Sequence, residues 1–147
     1  MLNTPVMNRN EINKGAGIYS KTTMDYILRP RNVGELPDPD GYAACKSDCG
    51  ETMEIRLKLD HDNICRTSFQ TDGCAAVVAC GSMAAELARG RTVIKAMAID
   101  AREIADALVD FPEGNFHCAA LAAQTLRAAL KNCLEIQRDP WKKFYRK

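Results

Sequence analysis

Seven cysteines are spread through this chain of 147 residues, and three of them sit where the backbone should pass from one element to the next. Cys49 lies in Asp48-Cys49-Gly50-Glu51, Cys74 in Asp72-Gly73-Cys74, and Cys118 in Phe116-His117-Cys118. Cys74 and Cys118 each open a long helical pattern, and Cys49 ends a Gly/Asp-rich loop before a strand pattern. The first N–H groups of a helix are unpaired and carry the positive end of its dipole. A thiol held there is driven toward thiolate, the form that binds metal and accepts sulfur. Glu51 and His117, beside two of these cysteines, offer a further oxygen or nitrogen ligand. Spacing alone leaves two readings open: a shared metal or cluster site, or three boundary cysteines with no joint role.

The other four cysteines read differently. Cys133 lies on the apolar stripe of the last helix and Cys80 on the stripe of the preceding long one, where a free cysteine is core. Cys65 alternates with Thr67 and Phe69, which points it inward from a strand. Cys45 and Cys49 have the spacing of half a zinc site, but no second close pair completes it, so Cys45 stays a candidate fourth ligand beside Glu51 and His117. His61, between two aspartates in a hairpin tip, reads as solvated. A Cys–His nucleophile built from His117 and Cys118 ranks low, because adjacent residues at a helix start point in different directions.

These thiols need elements to position them. Ser20 caps a short helix through Thr23, Ile27 and Leu28, which must stop near Arg29 because Pro30 follows. Met53, Ile55, Leu57 and Leu59 alternate with Glu54, Arg56, Lys58 and Asp60, the mark of a strand with one wet face. Asp60-His61-Asp62-Asn63 turns that strand into a return strand from Ile64 to Thr71, and Gly41 to Cys45 adds a third. Helical spacing then takes over: Val77, Cys80, Ala84 and Leu87 up to Arg89-Gly90; a short helix from Thr92 to Ala98; and a helix capped by Asp100 with Glu103, stapled by Ile99 on Ile104 and running to about Val109. The longest stripe is Cys118, Ala122, Leu126, Leu130, Cys133 and Leu134, ended by Pro140. Strands first and helices afterwards predict an α+β fold, a small antiparallel sheet of about three strands with helices on one face.

Composition sets the limits. Hydrophobic residues make up 46% and charged residues 27%, and twenty basic side chains against nineteen acidic ones leave a net charge of +1. That is a globular domain with a sufficient core and no electrostatic call for nucleic acid. No apolar run reaches the ~20 residues of a membrane span. Residues 1–17 read as a polar, flexible arm without a secretory signal, residues 18–139 as one domain, and residues 140–147 as a basic aromatic tail. The tail reads first as a solvated chain end, and second as a segment able to dock an acidic groove. An odd cysteine count without an export signal points to a reducing cytoplasm, and no Cys-x-x-Cys supports a thioredoxin-type motif or a zinc ribbon.

The order of these motifs resembles the IscU/NifU family of iron–sulfur cluster scaffold proteins. The likeness runs from Tyr19-Ser20 through Pro30-Arg31-Asn32-Val33-Gly34, Cys49-Gly50-Glu51-Thr52-Met53, Gly73-Cys74-Ala75 and His117-Cys118 to the closing long helix. The three cysteines fall 25 and 44 residues apart, the IscU-type layout, without the insertion of the zinc-bound sulfur-relay branch. The resemblance implies the family's SufE/NifU-type α+β fold, with the three cysteines gathered at one exposed end. It implies a scaffold or carrier rather than an enzyme, one that builds a labile iron–sulfur cluster (2Fe–2S first, 4Fe–4S second) and passes it to apo iron–sulfur proteins. Cys49, Cys74 and Cys118 match the family's cluster ligands, with Glu51 and His117 beside them. Cys118 also matches the residue that accepts sulfur from a cysteine desulfurase. Iron and electron donors complete the implied partners, and a homodimer is compatible with the family.

Three departures stand out. Glu51 replaces the family aspartate, Asn115 replaces a lysine before the His-Cys step, and Phe111-Pro112-Glu113-Gly114-Asn115 replaces the Leu-Pro-Pro-Val-Lys chaperone signal. The last of these argues against dependence on the family's dedicated Hsp70. The alternative function is a zinc-bound sulfur carrier that uses the same residues, with Cys118 as persulfide acceptor.

Overall fold

In the computed structural model, which describes residues 19–145, a three-stranded antiparallel sheet in the order β1-β2-β3 comprises β1 (Gly41–Lys46), β2 (Thr52–Asp60) and β3 (Asn63–Thr71). The arm expected at residues 1–17 lies outside the described residues. The helices are α1 (Lys21–Leu28), α2 (Ala75–Ala88), α3 (Val93–Ala96), α4 (Ala101–Ala107) and α5 (Phe116–Arg138). Short 3₁₀ turns lie at Glu113–Asn115 and Pro140–Tyr145. The α+β reading holds: strands precede the main helices, α5 crosses β1 and β2, and α2 lies on β3.

Met53, Ile55 and Leu57 of β2 are fully buried under the helices, as their alternation requires, while Glu54, Arg56 and Lys58 line the outer face. There Arg56 donates to Gln70 at 2.8 Å and lies over the Tyr42 ring, so the outer face is a polar network. On the inner face Val77, Cys80 and Ala84 of α2 meet Ala122, Leu126, Leu130 and Cys133 of α5 in one core. The helix starts follow the capping logic. Ser20, Thr92 and Asp100 accept hydrogen bonds from the amides of Thr23, Lys95 and Glu103.

Two expectations need correction. Cys65 is exposed rather than inward. The β2–β3 register slips between Lys58 and Leu59, so that Lys58 pairs with Arg66 while Leu59 pairs with Ile64. Cys65 is the additional residue of that bulge, which reverses the parity of the strand: Ile64 and Thr67 are both buried although three positions apart. Second, α4 stops at Ala107 rather than near Val109. Val109 and Asp110 adopt φ values of +63° and +52°, outside the helical region. At the other end of the chain, Lys143 of the tail reaches Asp38 at 2.8 Å, while Phe144 is exposed.

Candidate metal and cluster site

The turn Ser47–Glu51 joins β1 to β2 and carries Cys49 at its exposed tip. Gly50 there takes φ +91°, a conformation open to glycine and strained for other residues. The turn is closed by Ser47 N–H donating to Glu51 O at 2.8 Å and Gly50 N–H to Ser47 O at 2.9 Å. Cys74 is the N-cap of α2, exposed, with extended backbone. Cys118 lies in the first turn of α5 and is buried.

Glu51 joins the first two elements: its carboxylate accepts the Cys74 N–H at 3.2 Å. A second tie, which nothing in the sequence signals, is Asp72, whose carboxylate accepts the Thr52 N–H at 2.7 Å. That amide hydrogen bond holds the Asp72 carboxyl below the usual carboxylate range. Together these bonds fix the loop before α2 against the strand that follows Cys49.

Ligand atoms of Glu51, His117 and Cys118 lie within 4.8 Å of one another, one oxygen, one nitrogen and one sulfur that could hold a metal ion. Cys74 joins through its sulfur, hydrogen-bonded to Cys118. Cys49 is not within that group; it lines an open cleft of about 370 Å³ with His117, Lys46 and Gln124. Cys45 lines a separate cleft beside Arg127 and Lys131. Of the predicted site residues, the fold therefore gathers Glu51, Cys74, His117 and Cys118, and leaves Cys49 at the rim.

The protonation states depart from the sequence expectation. Helix starts were expected to favour thiolate at both Cys74 and Cys118. Cys74 does follow it: the Cys118 S–H donor stabilises its thiolate, burial opposes this, and the amides of Val77 and Ala76 assist, bringing it down to about 6. Cys118 is pushed up instead, because it is the donor in that pair and is buried. The two thiols behave as one coupled unit holding one proton between them near neutrality. The awkwardness expected for a Cys–His pairing is also absent, since His117 Nε2 lies 3.6 Å from Cys118 Sγ.

A prediction follows for the metal-free protein. At pH 7, iodoacetamide should modify Cys74 well before Cys118, because the thiolate is the nucleophile. The Cys74 rate should fall as pH drops through about 6, where its thiolate is lost. Peptide mapping by mass spectrometry across pH 5 to 8 checks this; Cys118 reacting first would contradict the assignment.

With this geometry in view, likeness to known proteins is informative. Residues 18–139 match the NifU-like N terminal domain family. The chain is 40% identical over 114 residues to iron-sulfur cluster assembly scaffold protein IscU 1 of Archaeoglobus fulgidus, covering 77% of this chain and 74% of that one. It is 34% identical over 120 residues to the scaffold protein IscU of Azotobacter vinelandii, covering 78% and 92%. Among solved structures, a putative iron-sulfur cluster assembly scaffold protein for the SUF system from Fervidobacterium islandicum AW-1 superposes with a TM-score of 0.66 at 23% identity, over 78% of this chain and 97% of that one. The N-terminal NifU-like protein of Brucella abortus gives 0.60 at 22% identity, over 83% and 96%. The fold is thus that of the NifU-like class, and in this chain Cys74 and Cys118 sit at the starts of two of its helices. This chain belongs to the NifU-like N-terminal domain family.

Proposed function

We infer that this protein is an iron–sulfur cluster assembly scaffold, which receives iron and sulfur, holds the growing cluster, and releases it to apo-proteins. The observation that carries this reading is the meeting of Glu51, His117 and Cys118, beside Cys74, at one end of the fold. Its donor set is mixed. Thiolates suit iron–sulfur chemistry, whereas a carboxylate is a harder and more readily replaced ligand. Cys49, on the exposed turn that lines one cleft with His117, would supply the third thiol. A site assembled in this way favours release as much as binding. The cargo we favour is 2Fe–2S, and zinc can occupy the same donors.

The partners follow from the chemistry. A cysteine desulfurase supplies sulfur: the Cys118 thiolate attacks the outer sulfur of the donor's persulfide, a new S–S bond forms on Cys118, and the donor cysteine leaves as thiolate. His117, at 3.6 Å, is placed to take the Cys118 proton. The protein carries sulfur and iron without turning them over itself, and its free thiols suit a reducing compartment such as the cytoplasm. No helix among the described residues is long and apolar enough to cross a membrane.

One observation favours a second reading for the acceptor. Cys74 is the exposed, thiolate-bearing member of the pair, and Cys118 is the buried one. Incubation with a desulfurase and ³⁵S-cysteine under single-turnover conditions, followed by mapping of the label, separates the two. We expect the label on Cys118. Label on Cys74 or Cys49 with none on Cys118 would reassign the acceptor.

A further inference from the structure

Cys118 is 1% exposed, so an incoming persulfide cannot reach it without movement of its surroundings. On one side it adjoins the interior of α2, where Cys80 and Val77 are fully buried in the core. His117, Glu51 and Cys74 lie against it in the site, and the segment that leads into α5, residues 108–115, ends three residues before it in the chain with an unusual geometry.

Val109 and Asp110 stand in succession at positive φ, and Val109 is β-branched, the kind of residue for which a left-handed conformation is a true outlier. Strain of this sort persists only where the surroundings over-determine it. Here the surroundings come from the start of the described chain. Ser20 Oγ and Thr23 Oγ1 both donate to the Leu108 carbonyl, at 2.6 and 2.8 Å. The Tyr19 ring stacks on Phe111 with centroids 6.4 Å apart. Asn115 Nδ2 donates to the Tyr19 hydroxyl at 2.9 Å. Asparagine at the position before a helix ordinarily turns its side-chain oxygen onto the first-turn amides. Asn115 makes no such bond to α5, since its side chain faces Tyr19 instead.

We propose that Tyr19, Ser20, Thr23 and Asn115 form a clasp that holds the Val109–Asp110 turn in its strained conformation and keeps Cys118 withdrawn, and that opening this clasp presents the Cys118 thiol to a partner. The four are positioning residues. Opening relieves the left-handed turn and frees Asn115 to cap α5, which offsets part of the loss of the clasp's hydrogen bonds. The role assigned to the opening rests on Cys118 as sulfur acceptor, whereas the clasp itself is tested without sulfur or iron.

The test uses the full-length, metal-free chain with Cys74→Ser, so that modification of that neighbour does not alter Cys118. Iodoacetamide labelling of each cysteine is followed by mass spectrometry. Cys80 and Cys133, both fully buried in the core, report global opening in the same sample. Tyr19→Phe and Asn115→Ala should each raise the Cys118 rate about fivefold, as expected for loss of one hydrogen bond, with the Cys80 and Cys133 rates unchanged. Val109→Gly, which removes the side-chain penalty of the left-handed turn, should slow Cys118 below the unaltered protein. Unchanged Cys118 labelling in both clasp variants overturns the proposal. So does a Cys118 increase matched by Cys133, which would signal general destabilisation, and so does a faster rate in Val109→Gly. If sulfur label instead lands on Cys74 while these rates behave as stated, the acceptor reading fails and the clasp stands.

Discussion

Cys74→Ala should abolish the visible chromophore after anaerobic reconstitution with iron and sulfide, and Cys49→Ala and Cys118→Ala should do the same. Cys65→Ala, Cys80→Ala and Cys133→Ala should leave it. The division follows position. Cys74 and Cys118 share a hydrogen bond beside Glu51 and His117, and Cys49 tops the adjoining turn. Cys80 and Cys133 are fully buried in the core, and Cys65 is the bulged residue of β3, at the distant end of the β2–β3 hairpin. Loss of one thiolate from a three-thiol set leaves too few soft donors to retain the cluster. The core variants should cost about 1 kcal/mol of stability each, as small buried truncations do. Absorption spectra paired with thermal melts distinguish lost ligation from lost folding. A normal chromophore in Cys74→Ala would sink the three-thiol scheme.

The second large effect is expected far from the site. Gly41→Ala should destabilise the protein by about 3 kcal/mol, at the upper end of overpacking penalties. At Gly41, β1 passes so close to α5 that an added Cβ would fall on Cys133 Sγ and 2.7 Å from the Ala129 carbonyl oxygen. The sulfur can shift, but the backbone carbonyl belongs to a continuous helix and cannot. Opening this contact would tilt α5, the helix that carries His117 and Cys118 at its other end. Denaturant melts measure the loss, and the double variant Gly41→Ala/Cys133→Ala should recover only part of it, because the carbonyl clash remains. Full recovery would show that the sulfur alone sets the limit.

What the sequence determined by itself is what depends on local pattern. Alternation along Met53, Ile55 and Leu57 set the buried face of β2, and the stripe from Cys118 to Cys133 set that of α5. Ser20, Thr92 and Asp100 announced helix starts because capping needs only a few adjacent residues. The boundary positions of Cys49, Cys74 and Cys118 singled them out for the same reason. The inward placement of Cys65 failed because one additional residue in a strand reverses all later parity, and no local signal marks where the partner strand slips.

Tertiary structure decided how the boundary residues relate to one another. Both helix starts offer the same local electrostatics, yet Cys74 is exposed and its thiolate accepts a hydrogen bond from the buried Cys118 thiol, so only Cys74 becomes a thiolate. That outcome is set by burial and by a sulfur 44 residues away, neither of which periodicity encodes. The contact between Asn115 and Tyr19, 96 residues apart, is of the same kind. Residue type and spacing select the groups able to do chemistry; packing between distant segments decides which of them meet, and in which protonation state.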